Sequence, residues 1–139
     1  MDYKLSVTDV ADDSVQAAIR APLVAYNQDK AGTSDYRALV VTLTDLEGKV
    51  IGGLWGRTAY SWLFVELLFV PEHLRGRGLG KTLLQQAEQE ASKRGCRNAW
   101  LDTYEFQARG FYEHLGYRCF GELPDYPPGF SRYFLTKRL

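Results

Sequence analysis

The sequence predicts an α/β fold in which a mixed, mostly antiparallel central sheet is flanked by helices. Strand-like and helix-like segments follow in the order β-α-β-β-β-α-β-α-β-β along 139 residues. Short turns at residues 45–48 and 127–129 each separate two strand-like runs, as in hairpins. Between them, an apolar strand leads through a glycine-rich turn into a helix. At this length and with 45% apolar residues, we expect one domain over residues 1–139.

The single elements are predicted from hydrophobic periodicity and from start and stop residues. Residues 12–14 supply N-cap candidates for the first helix, and Pro22 predicts a kink or an interruption within it. Gly52 and Gly53 indicate a bulge or a close approach of two chains. The predicted strands cover residues 3–8, 39–43, 50–55, 62–70, 99–101, 117–123 and 131–137, and the predicted helices run over 15–27, from 79 to Gly95, and from 108 to Gly116.

The strand over residues 62–70 is apolar at every position except Glu66. This composition predicts a strand at the centre of the sheet with both faces covered. A buried carboxylate is costly unless it is paired or used, and burial would raise its pKa toward that of a general base. A structural ion pair, or a wet position facing a cleft, explains Glu66 equally well.

Charge and leader signals exclude several classes of protein. Lys plus Arg and Asp plus Glu number 17 each, so no basic excess indicates a nucleic-acid or anionic-membrane partner. The first ten residues resemble no secretory signal, and no segment reaches the ~20 apolar residues of a membrane span, so we expect a cytoplasmic protein. Cys96 and Cys119 are expected to be reduced thiols, and no metal site is predicted.

Residues 75–80, here called the glycine turn, predict a phosphate-binding site. Backbone N–H groups at a helix start point to one place, and glycine leaves no Cβ to keep an anion away. Arg75, Arg77 and Lys81 add positive charge in a chain of zero net charge. A tight turn with three solvated cations explains the same residues.

The spacing of the glycines argues against two nucleotide-binding motifs. Gly80-Lys81-Thr82 matches the end of a nucleoside-triphosphate loop, but Arg75 stands where that motif needs its first glycine. Gly76, Gly78 and Gly80 give G-x-G-x-G and not the dinucleotide pattern G-x-G-x-x-G.

The turn does match R-x-x-G-x-G, which resembles the acyl-CoA signature [QR]-x-x-G-x-[GA] of the GCN5-related N-acetyltransferase (GNAT) family. The segment over residues 68–72 resembles the strand that leads into the family's loop, and residues 111–117 resemble its F-Y-x-x-x-G-[FY] segment. The order of elements also resembles the GNAT fold. The resemblance covers roughly residues 36–120.

The resemblance implies acetyl-CoA as cosubstrate and an amine of a small molecule or a protein as acceptor. It implies that backbone amides of the glycine turn hold the pyrophosphate and that the preceding strand pairs with the pantetheine amides. The implied cofactor-binding residues are Leu68, Phe69, Val70, Arg75, Gly76, Arg77, Gly78, Leu79, Gly80, Lys81 and Thr82. Gln107 is added as a substitute, because Glu105 stands where the family commonly has a cofactor-contacting asparagine.

Tyr112 is the first candidate for the chemistry, because the tyrosine at this place in the family is the general acid toward the CoA sulfur. A core tyrosine is the alternative. Glu66 is the candidate base, and Asp102, Tyr104 or Glu105 can share that role or bind the amine. The rival functions are a non-catalytic acyl-CoA sensor and a nucleotide-binding protein.

Aromatic residues are numerous for so small a domain. Trp55 and Trp62 are expected in the core, and Tyr126 at the rim of an acceptor pocket; Tyr60 and Phe130 are further lining candidates. An exposed terminal strand and these aromatics are compatible with a homodimer.

Overall fold

The computed structural model describes residues 2–139, which form two units divided after Ser34. In the first unit, helix α1 spans Asp13–Ala31, and the Asp12 carboxylate caps it by accepting from Ser14 N at 2.8 Å. The helix continues through Pro22. The predicted strand over residues 3–8 is wrong, because these residues pair with no strand and side chains such as Val7 are fully exposed.

The second unit, Asp35–Leu139, contains six strands and two helices among the described residues. In chain order they are β1 (Arg37–Thr44), β2 (Val50–Ala59), β3 (Trp62–Phe69), α2 (Leu79–Lys93), β4 (Asn98–Tyr104), α3 (Arg109–His114), β5 (Arg118–Leu123) and β6 (Arg132–Arg138), with a 3-10 turn at Glu72–Leu74. The strands form one sheet in the order β1-β2-β3-β4-β6-β5. All neighbouring strands are antiparallel except β3 and β4, which confirms the predicted mixed sheet.

The last strand, β6, lies inside the sheet between β4 and β5. It pairs antiparallel with both neighbours along nearly its full length. The expectation of an exposed terminal strand is therefore wrong, and the sheet edges are β1 and β5. The sequence could not show this, because chain order does not reveal that β5 is placed outside β6.

The core lies between the sheet and α2. The buried face of α2 presents Leu83, Leu84, Ala87 and Ala91 to the inward side chains of the strands, such as Leu63 and Leu101. Burying these apolar groups is the main force that holds α2 against the sheet. Because α2 begins at the glycine turn, this packing fixes the position of the turn relative to β3.

A β-bulge at Glu66 changes the outward side of β3. Gly56 pairs with Val65 and Trp55 pairs with Leu67, so Glu66 is an extra residue without a partner on β2. Leu63 and Val65 are buried before the bulge, whereas Leu67 is 61% exposed after it. The prediction that both faces of this strand are covered is therefore wrong. The run is apolar along its length because the bulge changes which side chains of β3 face the core.

Glycine is required where β2 passes close to its neighbours. A Cβ at Gly52 would lie 2.5 Å from the Phe69 carbonyl oxygen. Gly53 has φ +140°, and its Cβ would overlap the Val41 carbonyl oxygen. The predicted close approach at these glycines is confirmed.

Candidate active site

An opening between β3 and β4 is the central feature of the site. The parallel pairing of these strands ends at Val65 and Leu101. β4 continues in register with β6 as far as Tyr104, whereas β3 continues beside β2 as far as Phe69. From Glu66 onward, the β4-facing edge of β3 therefore has no strand partner. Such an edge can pair with an extended ligand that carries amide groups.

The glycine turn leads from the end of β3 into α2. Gly76 and Gly78 have φ +78° and +79°, in the left-handed region that glycine adopts at low cost. A Cβ at either position would meet nothing within 4 Å, so the space above the turn is open. Gly78 is the N-cap of α2, and the first N–H groups of a helix have no carbonyl one turn earlier. The turn thus offers donors to an anion without a side chain in the way.

The side chains around the turn stabilise this geometry. Arg75 Nε donates to the Val70 carbonyl oxygen at 2.9 Å, which joins the turn to the end of the strand. The Thr82 hydroxyl donates to the Gly78 carbonyl oxygen at 3.0 Å. Arg77 and Lys81 are exposed and supply positive charge at the same place. The structure therefore gives Arg75 a local supporting bond, in addition to the cofactor contact expected from the sequence.

Gly80 brings the third helix against the turn. A Cβ at Gly80 would lie 3.2 Å from Phe111 Cζ, so the missing side chain lets the start of α2 approach α3. Phe111 in turn packs against the Tyr112 ring with 5.1 Å between ring centroids. The candidate catalytic tyrosine is thereby held by the same packing that forms the turn.

Tyr112 has a buried ring and an accessible hydroxyl. Its side chain is 8% exposed, and the ring packs edge-on against Tyr117. Within residues 2–139 the hydroxyl makes no hydrogen bond, and no fully buried side-chain oxygen or nitrogen there lacks a partner. The Tyr112 oxygen therefore reaches solvent. Burial, and secondarily the charge of Asp102, raises the pKa of Tyr112 to about 12, so the hydroxyl stays protonated at neutral pH.

The three candidate carboxylates have different surroundings. Glu66 and Asp102 are the next residues after the last β3–β4 pair, and they flank the opening. Asp102 is held by Arg132, whose Nη2 and Nε donate to Oδ1 at 2.6 and 3.0 Å. Glu105 is exposed and accepts a long bond of 3.4 Å from the Tyr133 hydroxyl. Glu66 is exposed, which corresponds to the wet position beside a cleft that the sequence left open for it, and it has no ion pair among the described residues.

Gln107 is engaged at the end of β4. Its Oε1 accepts from Tyr104 N at 2.8 Å and from the Thr103 hydroxyl at 3.1 Å. These bonds fix the segment between β4 and α3. They occupy the side-chain oxygen and leave the amide nitrogen for a ligand.

The tryptophans expected in the core are at the surface, which corrects that prediction. Trp55 and Trp62 are 52% and 40% exposed. Tyr60 lies in the β2–β3 turn, at the end of β3 opposite the opening. The expected rim residue Tyr126 belongs to a group of rings near the end of β4, and its ring centroid lies 5.9 Å from that of Tyr104.

Two residues of this group, Phe106 and Arg132, were not found from the sequence. Phe106 stacks on Tyr104 with centroids 5.3 Å apart, and the Arg132 guanidinium lies 5.4 Å from the Tyr104 ring centre. Arg132 stands opposite Tyr104 only because β6 pairs with β4. No local sequence signal predicts that pairing.

Other candidate groups lie apart from the opening. A surface groove is lined by Trp62, Asn98, Trp100, Gly116, Arg118, Phe120, Thr136, Lys137 and Arg138, without Tyr112 or the glycine turn. Both cysteines are free thiols, and burial raises the pKa of the Cys96 thiol. Among residues 2–139, no group of three or more His, Cys, Asp or Glu side chains is arranged to hold a metal, and no helix is long and apolar enough to cross a membrane.

Comparison with known proteins decides the family. The model of the acetyltransferase (GNAT) family matches residues 7–117. The chain belongs to the GNAT family. It is an acyl-CoA-dependent N-acetyltransferase, as the glycine turn and the 111–117 segment predicted.

The individual relatives cover most of the chain. An acetyltransferase of Agrobacterium fabrum is 47% identical over 138 residues, with 99% of each chain covered. The blasticidin-S acetyltransferase of Streptomyces morookaense is 44% identical over 93 residues, which is 66% of this GNAT chain and 68% of that protein. A protein of known crystal structure from Agrobacterium tumefaciens is 47% identical to this chain, and the match covers 100% of both chains. The two structures superpose with a TM-score of 0.92.

Proposed function

We propose that this GNAT protein transfers the acetyl group of acetyl-CoA to a primary amine of a small molecule or a protein. One observation carries the proposal: the free edge of β3 leads into an open glycine turn, and Tyr112, next to the Phe111 that packs on this turn, has a hydroxyl without a hydrogen bond among residues 2–139. We take residues 1–139 as one catalytic domain in the cytoplasm. A homodimer stays a prediction.

Acetyl-CoA fits the geometry of the opening in three places. Its pyrophosphate would accept from backbone N–H groups of residues 76–81, where Gly76 and Gly78 leave open space, because the Thr82 N–H already donates to the Gly78 carbonyl oxygen. Its pantetheine amides would pair with the free edge of β3 at residues 68–70. The exposed cations Arg77 and Lys81 would offset the phosphate charge.

Tyr112 would donate a hydrogen bond to the CoA sulfur as the thioester breaks. Moving a proton from a group of pKa about 12 to a thiolate of pKa ~8.5 is uphill by roughly 5 kcal/mol. A donated hydrogen bond to a charged acceptor contributes about 1.5–3 kcal/mol without that transfer. We therefore propose that Tyr112 stabilises the leaving sulfur as a donor, and that the thiolate is protonated later from solvent.

Glu66 would accept the proton that the acceptor ammonium must lose before its nitrogen can attack the thioester. It lies beside the opening and is exposed, so a water molecule can reach it. Asp102 is less suited, because two hydrogen bonds from Arg132 occupy one of its oxygens. Protonating a carboxylate in such a pair would weaken the bond with the guanidinium.

Direct attack of the amine on the thioester is favoured over a covalent enzyme intermediate. Cys96 is buried in the core and its thiol has a raised pKa, which disfavours the nucleophilic thiolate. The Cys119 thiol is half-buried and donates to the Gly121 carbonyl oxygen at 3.3 Å. The sequence contains two cysteines, so both are accounted for.

Ligand-dependent thermal unfolding tests the cosubstrate. A ligand present at a hundred times its Kd stabilises the folded state by about 2.7 kcal/mol, which raises Tm by several degrees. We expect acetyl-CoA to raise Tm in this way and ATP to leave it unchanged. Stabilisation by ATP without stabilisation by acetyl-CoA would refute the assignment. Binding of acetyl-CoA without free-CoA release for any amine would favour the sensor instead.

A further inference from the structure

Four aromatic side chains form an exposed surface beside the opening, here called the aromatic shelf. They come from the end of β4 and from the segment between β5 and β6: Tyr104, Phe106, Tyr126 and Phe130. Phe106 stacks on Tyr104 at an interplanar angle of 8°, and Phe130 meets Phe106 edge-on with centroids 5.1 Å apart. Phe106, Tyr126 and Phe130 are 56%, 45% and 42% exposed. A contiguous exposed aromatic patch is typical of a binding site.

Backbone hydrogen bonds hold the shelf in place. Glu105 N donates to the Ser131 carbonyl oxygen at 2.8 Å, which ties the end of β4 to the start of β6. Tyr126 N donates to the Phe130 carbonyl oxygen at 2.9 Å, which closes the other segment. The rings are thus arranged before a ligand arrives, and binding there costs little additional conformational entropy.

The shelf adjoins the end of the opening at which Asp102 and Glu66 lie. Tyr104 lies two residues beyond Asp102 on β4. Arg132 connects them: its guanidinium donates to Asp102 at 2.6 Å and lies 5.4 and 4.8 Å from the ring centres of Tyr104 and Tyr126. A molecule resting on the shelf would therefore extend toward Asp102 and Glu66, where the acceptor nitrogen is expected.

The charges on the shelf favour one kind of ligand. The Arg132 guanidinium already occupies the faces of Tyr104 and Tyr126, so a second cation gains less from them. Asp102 neutralises Arg132 and offers little charge to a polyamine. More than half of Phe106 is exposed, and a planar ring can pack against this part of the side chain.

We propose that the aromatic shelf is the acceptor subsite and that it selects primary amines whose carbon body contains a planar unsaturated ring. This inference rests on the proposed function. It names the substrate class that the same site would take, with Phe106 and Tyr126 as the residues that determine specificity.

Steady-state free-CoA release tests the proposal with three amines: phenethylamine, n-butylamine and putrescine. We expect kcat/KM for phenethylamine to exceed that for each of the other two by about tenfold, which corresponds to 1.4 kcal/mol of stacking. Phe106→Leu should bring this ratio close to one by raising KM for phenethylamine, with kcat within about twofold. Tyr126→Leu is a second variant with the same expected direction.

Tyr60→Leu is the matched control. Tyr60 is 45% exposed, as is Tyr126, but it lies at the far end of β3. It should keep the ratio of the unaltered protein. If no amine releases CoA, the proposed function fails together with this inference. If amines react without preference for a ring, or if Tyr60→Leu lowers the ratio as much as Phe106→Leu, the inference alone is overturned.

Discussion

Replacing Gly78 with alanine separates the backbone strain of the glycine turn from its contact with acetyl-CoA. Gly78 has φ +79°, and a left-handed conformation costs a residue with a Cβ about 1–2 kcal/mol. Gly95, which follows α2, has φ +88° and is equally open, with nothing within 4 Å of its missing Cβ. Gly78→Ala and Gly95→Ala should therefore lower the free energy of unfolding by similar amounts.

Only Gly78→Ala should also weaken acetyl-CoA binding. The new methyl group would enter the open space at the N-cap of α2, where the pyrophosphate is proposed to lie. Losing one hydrogen bond to a charged group costs about 1.5–3 kcal/mol, which is roughly 10- to 150-fold in Kd. Isothermal titration calorimetry gives Kd for both variants, and urea unfolding gives their stability. Equal Kd values for the two variants would refute the placement of the pyrophosphate.

Three further predictions follow from burial and charge. Between pH 9 and 11 the free energy of unfolding should fall by about 1.3 kcal/mol through Tyr112 alone. The pKa of Tyr112 is about 12 in the folded state and ~10 in the unfolded state, so the unfolded state loses its proton first as the pH rises. Urea unfolding at both pH values should show a smaller fall for Tyr112→Phe. Leu84→Ala should cost about 2–5 kcal/mol in the same assay, since Leu84 is 0% exposed, and a loss below 1 kcal/mol would contradict its core position. Asp102→Ala should lower the free energy of unfolding by about 1–3 kcal/mol, because the half-buried Arg132 loses its carboxylate partner. In calorimetric unfolding, the double variant Asp102→Ala, Arg132→Met should recover part of that loss.

Local patterns predicted most of the second unit. Strand and helix positions followed from periodicity, and the glycine turn followed from three glycines before an apolar helical stripe. The predicted strand at residues 3–8 failed because alternation alone does not supply a pairing partner. The sequence left open whether Glu66 is buried or wet, because the β-bulge that exposes it depends on the register of β3 with β2.

The acceptor side depends on contacts that are distant in sequence. Arg132 meets Asp102 and Tyr104 through the β4–β6 register, which a single sequence does not encode in any local motif. No sequence motif points to Phe106, and its stacking on Tyr104 is visible only in the structure. The cofactor side could be predicted because its turn, helix and strand are consecutive in the chain.

Free-CoA release by the unaltered protein and by Tyr112→Phe tests the central claim most directly. With a panel of primary amines, we expect the unaltered protein to release CoA in an amine-dependent reaction. Tyr112→Phe should bind acetyl-CoA with a similar Kd but turn over roughly 10- to 150-fold more slowly, because it lacks only the hydrogen bond to the leaving sulfur. Equal turnover by the two proteins, or no release by the unaltered protein with any amine, would contradict the account.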